Sequence, residues 1–136
     1  MNQAKDRVSD TLRDQRRVLI VEDDESIMDF FCTLLANQGY EVIQARNGVE
    51  AMVVLTAPEA TLPHAAVLDI GLPLEDGMSV LHFLRNVLQS KLPVIIVTGR
   101  QDSEEERALR DLGIADFIRK PVSSARLLDA LFSLLH

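Results

Sequence analysis

Five short apolar runs, separated by amphipathic stretches, constrain this chain more than any other feature. They are Val18-Leu19-Ile20-Val21, Val42-Ile43, Ala65-Ala66-Val67-Leu68, Val94-Ile95-Ile96-Val97 and Phe117-Ile118. A strand with one wet face alternates apolar and polar residues. These runs do not alternate, which is the pattern of parallel strands covered on both faces. Parallel neighbours need crossover connections, and the intervening segments supply them as helices.

The helix ends are readable. Ile27, Phe30, Phe31, Leu34 and Leu35 recur at helical spacing, Cys32 packs among them as a small hydrophobe, and Gly39 is placed to stop the helix in a left-handed cap. Asn47 with Glu50 three residues on predicts a capping box and a second helix running towards Pro58, with Val49, Met52, Val53 and Leu55 or their immediate neighbours as its core face. A third helix carries Met78, Leu81, Leu84 and Leu88 and ends before Pro93. The fourth opens at Ser103 with Glu104, Glu105 and Glu106, closes with Arg107 and Arg110, and buries Leu109 and Leu112. The fifth follows Ser123, carries Leu127, Leu128, Leu131, Leu134 and Leu135, and reaches the last residue. The expected fold is therefore α/β: a (βα)5 doubly wound, five-stranded parallel sheet with helices on both faces.

The 136 residues accommodate one domain. Residues 1–16 mix Lys5, Arg7, Arg13 and Arg16 with Asp6, Asp10 and Asp14 and have too few apolar positions to bury a face, so they are expected to be a tail before a domain over residues 17–136. The net charge of −7 is the wrong sign for tracking phosphate backbones and argues against direct nucleic-acid binding. With Cys32 alone there is no intramolecular disulfide and no cysteine-based zinc cluster. No apolar run approaches the ~20 residues that span a bilayer, and no signal peptide is evident, so the expected location is cytoplasmic.

In a doubly wound sheet, ligands bind outside the carboxyl ends of the strands. There the sequence places Glu22, Asp23 and Asp24 after strand 1, Asp69 after strand 3, Thr98 and Gly99 after strand 4, and Lys120 and Pro121 after strand 5. Carboxylates gathered in one cleft repel one another unless a cation joins them. All-oxygen ligands favour Mg2+, which keeps several waters and takes one or two protein carboxylates together with phosphate oxygens. With a hydroxyl and an ammonium group alongside, the edge suits phosphoryl transfer, and Asp69 can act as nucleophile to give an acyl phosphate.

Val21-Glu22-Asp23-Asp24, Leu68-Asp69-Ile70-Gly71-Leu72-Pro73 with Asp76-Gly77, Val97-Thr98-Gly99 and Lys120-Pro121 together resemble the receiver (CheY-like) domain of two-component response regulators, in order and spacing over residues 17–135. The resemblance implies the flavodoxin-like strand order 2-1-3-4-5. It implies that Asp69 accepts a phosphoryl group from a sensor histidine kinase or a histidine phosphotransfer protein. Asp23, Asp69 and the carbonyl of Gly71 would ligate Mg2+ directly, and Glu22 through a water. Thr98 would swing towards the phosphoryl group with Lys120 as its ammonium partner, Phe117 would change rotamer with it, and the Lys120–Pro121 bond would be cis. Gly99 would keep the space above the site open. Gly71 and Arg100 would border the phosphoryl group, Arg100 either contacting it or being solvated.

On that reading the protein is a signalling module rather than an enzyme. Phosphorylation would reshape a face made of helix 4, strand 5 and helix 5, through which a downstream protein target or a second copy in a homodimer would bind. With no segment after helix 5, the chain is expected to be either a free-standing receiver or an excised piece of a longer regulator. His64, His82 and His136 have no metal spacing and receive no function. Three competitors fit less well. A haloacid-dehalogenase-like aspartyl-phosphate phosphatase needs an Asp-x-Asp nucleophile after strand 1, which Glu22-Asp23-Asp24 breaks. A flavodoxin-like electron carrier needs a hydroxyl-rich phosphate loop and aromatic walls. A non-phosphorylated receiver-like adaptor would be expected to lack one of the key residues.

Overall fold

Each of the five apolar runs forms a strand, and each strand extends slightly beyond its run. The computed structural model describes residues 15–70 and 75–136, with Glu75 and Asp76 described in backbone only. In chain order it contains β1 (Arg17–Val21), α1 (Glu25–Asn37), β2 (Glu41–Ala45), α2 (Gly48–Leu55), a 3-10 turn (Glu59–Thr61), β3 (Ala65–Asp69), α3 (Glu75–His82), β4 (Val94–Thr98), α4 (Ser103–Leu112), β5 (Asp116–Arg119) and α5 (Ser124–Leu135). Of the tail expected over residues 1–16, residues 1–14 lie outside the described residues.

The strands pair in parallel in the order β2-β1-β3-β4-β5. β3 and β4 are buried at every residue, whereas the edge strands β2 and β5 have exposed positions at Glu41, Gln44 and Arg119. This explains why the second and fifth apolar runs are short. The pleat sends alternate residues to opposite faces. Val18, Ile20, Val67, Ile95 and Val97 pack with Met28, Phe31 and Leu35 of α1 and Leu127 and Leu131 of α5. Leu19, Val21, Leu68, Val94 and Ile96 pack on the other face with Ala51 and Leu55 of α2, Val80 and Leu81 of α3 and Leu109 of α4.

Side chains close the helix starts. Asp24 accepts from Ile27 N at 2.9 Å, Asn47 from Glu50 N at 2.9 Å, and Ser123 from Arg126 N at 3.3 Å. The return arm of the expected capping box reaches one residue further back, with Glu50 Oε1 accepting from Arg46 N at 3.0 Å. α4 opens at Ser103 as expected, and its cap is Asp102, whose Oδ1 accepts from Glu104 N and Glu105 N. Gly39 follows α1 at φ +90°, the left-handed stop read from the sequence.

Three packing expectations and one helix end are corrected. Val49 and Val53 are 74% and 66% exposed; α2 buries Leu55, as expected, with Gly48 and Ala51, the immediate neighbours of Val49 and Met52. Its sequence is apolar around most of its circumference, so periodicity does not single out a face. Phe30 on α1 is exposed. Past His82 the chain continues into a π-helical turn, Phe83–Val87, closed by Leu88 N donating to Phe83 O at 2.9 Å, and Leu88 is turned outward. α5 stops at Leu135, one residue short of the chain's last.

Arg85 lies within the π-helical turn. Its guanidinium donates to the carbonyls of Ser90 (2.9 Å), Leu92 (2.8 Å) and Gly113 (2.8 Å), tying the turn to the start of β4 and to the end of α4.

Candidate functional site

Only three polar or charged side chains of the described residues are buried, namely Glu22, Asp69 and Thr98, and all three stand at the carboxyl edge of the sheet. The register brings them there. Asp69 ends β3 opposite Val97, Thr98 ends β4 opposite Arg119, and Glu22 follows β1 with its N–H donating to Ala45 O at 3.0 Å. Lys120 follows β5, where its N–H donates to Thr98 O at 2.9 Å and directs the side chain to the same edge. The Lys120–Pro121 bond is cis, as the sequence resemblance implies.

Lys120 Nζ lies 2.9 Å from Asp69 Oδ2 and 3.8 Å from Glu22 Oε1. One ammonium group thus serves two buried carboxylates. Glu22 Oε2 accepts from Asp24 N at 3.1 Å, while Oε1 is buried with no hydrogen-bond partner. Burial, followed by the neighbouring Asp69 carboxyl, pushes the Glu22 carboxyl up to about 8. A charge-deficient acidic pair of this kind fits a hard divalent cation, which supplies the missing positive charge.

The remaining residues sort differently. Asp23 is exposed beside the pair. Asp24 points away to cap α1, which separates it from the acidic run it shares in sequence. Gly71 lies outside the described residues. Among the described residues no three carboxylate, imidazole or thiol groups converge closely enough to hold a metal by themselves. Thr98 Oγ1 accepts from Arg100 N at 3.0 Å, so its hydroxyl is engaged with the loop after β4. The Arg100 guanidinium is partly solvated and lies 3.8 Å from Glu105. A β-carbon at Gly99 would sit 3.9 Å from Lys120 Cβ, in ordinary contact, so Gly99 leaves space that a methyl group could fill.

Two contacts made by residues singled out in the sequence go beyond the sequence reading. Gly77 packs so closely under the end of β3 that a β-carbon there would fall 2.7 Å from Ile70 Cγ1 and 3.3 Å from Asp69 O. Phe117 is flanked by two guanidinium groups, with Arg119 Cζ at 5.2 Å and Arg110 Cζ at 5.6 Å from its ring centre. A glycine after an acidic residue is a legible signal for close approach. The arginine pair has none, because Arg110 and Arg119 are brought together by folding. The histidines stay outside the site, and His64 Nδ1 accepts from Arg17 N at 2.9 Å at the opposite end of β1.

The model of the response regulator receiver domain matches residues 18–132. The chain belongs to this family. Similar curated relatives include the response regulator MprA of Mycobacterium avium (strain 104), 34% identical over 120 residues that cover 88% of this chain and 51% of the relative. MprA of Mycobacterium tuberculosis (strain H37Rv) is also 34% identical, with 88% and 50% covered. The chain therefore spans about half the length of the curated relatives it matches.

Among solved receiver domains, that of Methanospirillum hungatei, described as CheY-like, superposes with a TM-score of 0.79 at 30% identity and covers 89% of this chain and 94% of that one. The non-phosphorylated HemR receiver domain of Leptospira biflexa gives 0.77 at 29% identity, with 89% and 94% covered. This receiver domain thus has the flavodoxin-like order 2-1-3-4-5 expected from its sequence. No helix among its described residues is long and apolar enough to cross a membrane.

Proposed function

We propose that this receiver domain accepts a phosphoryl group on Asp69 from a histidine kinase or a histidine phosphotransfer protein. The observation that carries this reading is the Lys120–Asp69 contact of 2.9 Å beside a buried Glu22 oxygen that accepts no hydrogen bond. The pocket sets one carboxyl group against an ammonium group and buries a second carboxyl beside it.

A carboxylate oxygen of Asp69 attacks phosphorus. The bond from phosphorus to the donor nitrogen or oxygen breaks, and its electron pair leaves with the donor. Asp23 and Asp69 with the carbonyl of Gly71 would hold Mg2+ directly, and Glu22 through water. When bound, the ion neutralises charge on the transferring oxygens. Lys120 then exchanges its contact with the Asp69 carboxylate for one with a phosphoryl oxygen. Thr98 gives up the Arg100 N–H and donates its hydroxyl to another phosphoryl oxygen, and the loop after β4, α4 and Phe117 repack. The module spans residues 17–136, works in the cytoplasm, and presents the face of α4, β5 and α5 to a downstream protein or to a second copy. Its product is an altered surface rather than a released molecule, so it acts as a signalling module and not as an enzyme.

Acetyl phosphate with Mg2+ tests this directly. The wild-type chain should gain one base-labile phosphoryl mass, and Asp69→Asn should gain none. Phosphorylation that persists in Asp69→Asn, or many phosphoester molecules hydrolysed per chain, would overturn the assignment.

A further inference from the structure

The Arg119 side chain joins three parts of the molecule that the proposed cycle must move. Nη1 donates to the carbonyl of Arg100 in the loop after β4, Nη2 pairs with Glu106 Oε1 on α4 at 3.1 Å, and the guanidinium lies over the Phe117 ring. The chain of contacts continues at both ends. Arg100 donates its N–H to Thr98 Oγ1 at 3.0 Å, and the other oxygen of Glu106 takes Arg110 at 3.0 Å, whose guanidinium also lies over the Phe117 ring. The Thr98 hydroxyl, the loop, the first turns of α4 and the aromatic ring are therefore linked through a single guanidinium.

We infer that Arg119, acting with Glu106, is a latch that holds the unphosphorylated arrangement of the β4–α4 loop, α4 and Phe117. The inference rests on the proposed phosphoryl acceptance at Asp69. Arg119 touches no reacting atom, so it is a positioning residue. Its planar fork suits the task, because it reaches a carbonyl and a carboxylate on two different elements while its face covers an aromatic ring, which an ammonium group cannot do at once. Each contact is partly solvated and individually weak. Together they bias a two-state equilibrium without locking it, as a reversible signal requires. In the proposed cycle Thr98 gives up the Arg100 N–H as it turns to a phosphoryl oxygen, so the latch and the phosphoryl group compete for the same loop.

Competition of this kind is reciprocal, so weakening the latch must tighten binding at Asp69 by the factor through which it shifts the equilibrium. Beryllofluoride with Mg2+, a mimic of the acyl phosphate, is the probe, titrated into the wild-type chain, Arg119→Ala, Arg119→Lys and Glu106→Gln. Arg119→Ala should bind it about 3–10-fold more tightly, the range that contacts of this strength allow. Glu106→Gln should move in the same direction by less, and Arg119→Lys should resemble Arg119→Ala rather than wild type. In the unliganded Arg119→Ala protein, the Phe117 ring resonances should shift towards their positions in the wild-type beryllofluoride complex. If the wild-type chain binds the probe but affinity is unchanged or weakened in both Arg119→Ala and Glu106→Gln, the latch is wrong and the acceptor reading stands. If wild type fails to bind it with Mg2+ present, the acceptor reading fails and the latch falls with it.

Discussion

Gly77 lies so close beneath Ile70 that an added β-carbon would meet Ile70 Cγ1 at 2.7 Å, and the carbonyl of Asp69 is the next nearest atom. The start of α3 therefore sets the position of the residue that the proposed chemistry uses. Gly77→Ala should displace Ile70 and the end of β3, costing about 1–3 kcal/mol of stability as overpacked sites do. Phosphorylation by acetyl phosphate should slow with it. Gly99→Ala, whose new methyl group would meet only Lys120 in ordinary contact, should leave stability within about 0.5 kcal/mol of wild type. Urea denaturation of the two variants separates the outcomes.

Lys120 is a competitor as well as a partner at the acidic pair. Removing its charge in Lys120→Met should let Mg2+ bind about 3–10-fold more tightly, since an ammonium group in contact with the same carboxylates would oppose the ion by roughly 1 kcal/mol or more. The same variant should take up phosphoryl groups more slowly, because a donor to the transferring oxygens is lost. Calorimetric Mg2+ titration and the acetyl phosphate reaction would be expected to move in opposite directions, and weaker Mg2+ binding would contradict the arrangement.

The raised Glu22 carboxyl gives metal-free protein a pH dependence of definite sign. The folded chain holds this proton more tightly than the unfolded chain, so the contribution to stability is complete below the ordinary value of 4.5 and is lost as pH rises through about 8. His64, lowered from 6.5 mainly by burial, acts in the opposite sense, its contribution being lost as pH falls through its depressed value. Comparison with Glu22→Gln isolates the first effect. In chelator, the stability of wild type relative to the variant should decline between pH 4.5 and 8, and saturating Mg2+ should flatten that decline.

Arg85, half-buried in the π-helical turn, should be a costly arginine to remove. Its guanidinium donates to three carbonyls from two separate segments, and burial holds its pKa below the ordinary arginine value. Arg85→Ala should lose about 2–4 kcal/mol, in line with several charge-assisted hydrogen bonds whose acceptors are left behind. Arg85→Lys should recover less than half of that, because an ammonium group lacks the fork. Chemical denaturation at neutral pH measures both.

The carboxyl edge of the sheet was legible because a parallel arrangement places the residue after each strand at a common rim, so Glu22, Asp69, Thr98 and Lys120 could be grouped without coordinates. Asp24 shows the limit of that reading. It is chemically identical to Asp23, but the geometry of a helix start takes its carboxylate away to Ile27 N. The buried face of α2 was hidden because Val49, Met52, Val53 and Val54 are all apolar, and only close approach to the sheet selects Ala51. The π-helical turn was hidden because Leu81, Leu84 and Leu88 fit an uninterrupted helix equally well. Arg85 and Arg119 were invisible for a common reason. Their partners include backbone carbonyls from segments remote in sequence, and residue identity does not encode such acceptors.

The described interior is hydrocarbon except at one rim, where Glu22, Asp69 and Thr98 are the sole buried polar side chains. Whatever neutralises that rim acts on the main electrostatic burden of the fold, so occupancy there is transmitted to the resistance of the whole chain to unfolding. On the proposed reading, the melting temperature of this protein should report its signalling state without any knowledge of a downstream target.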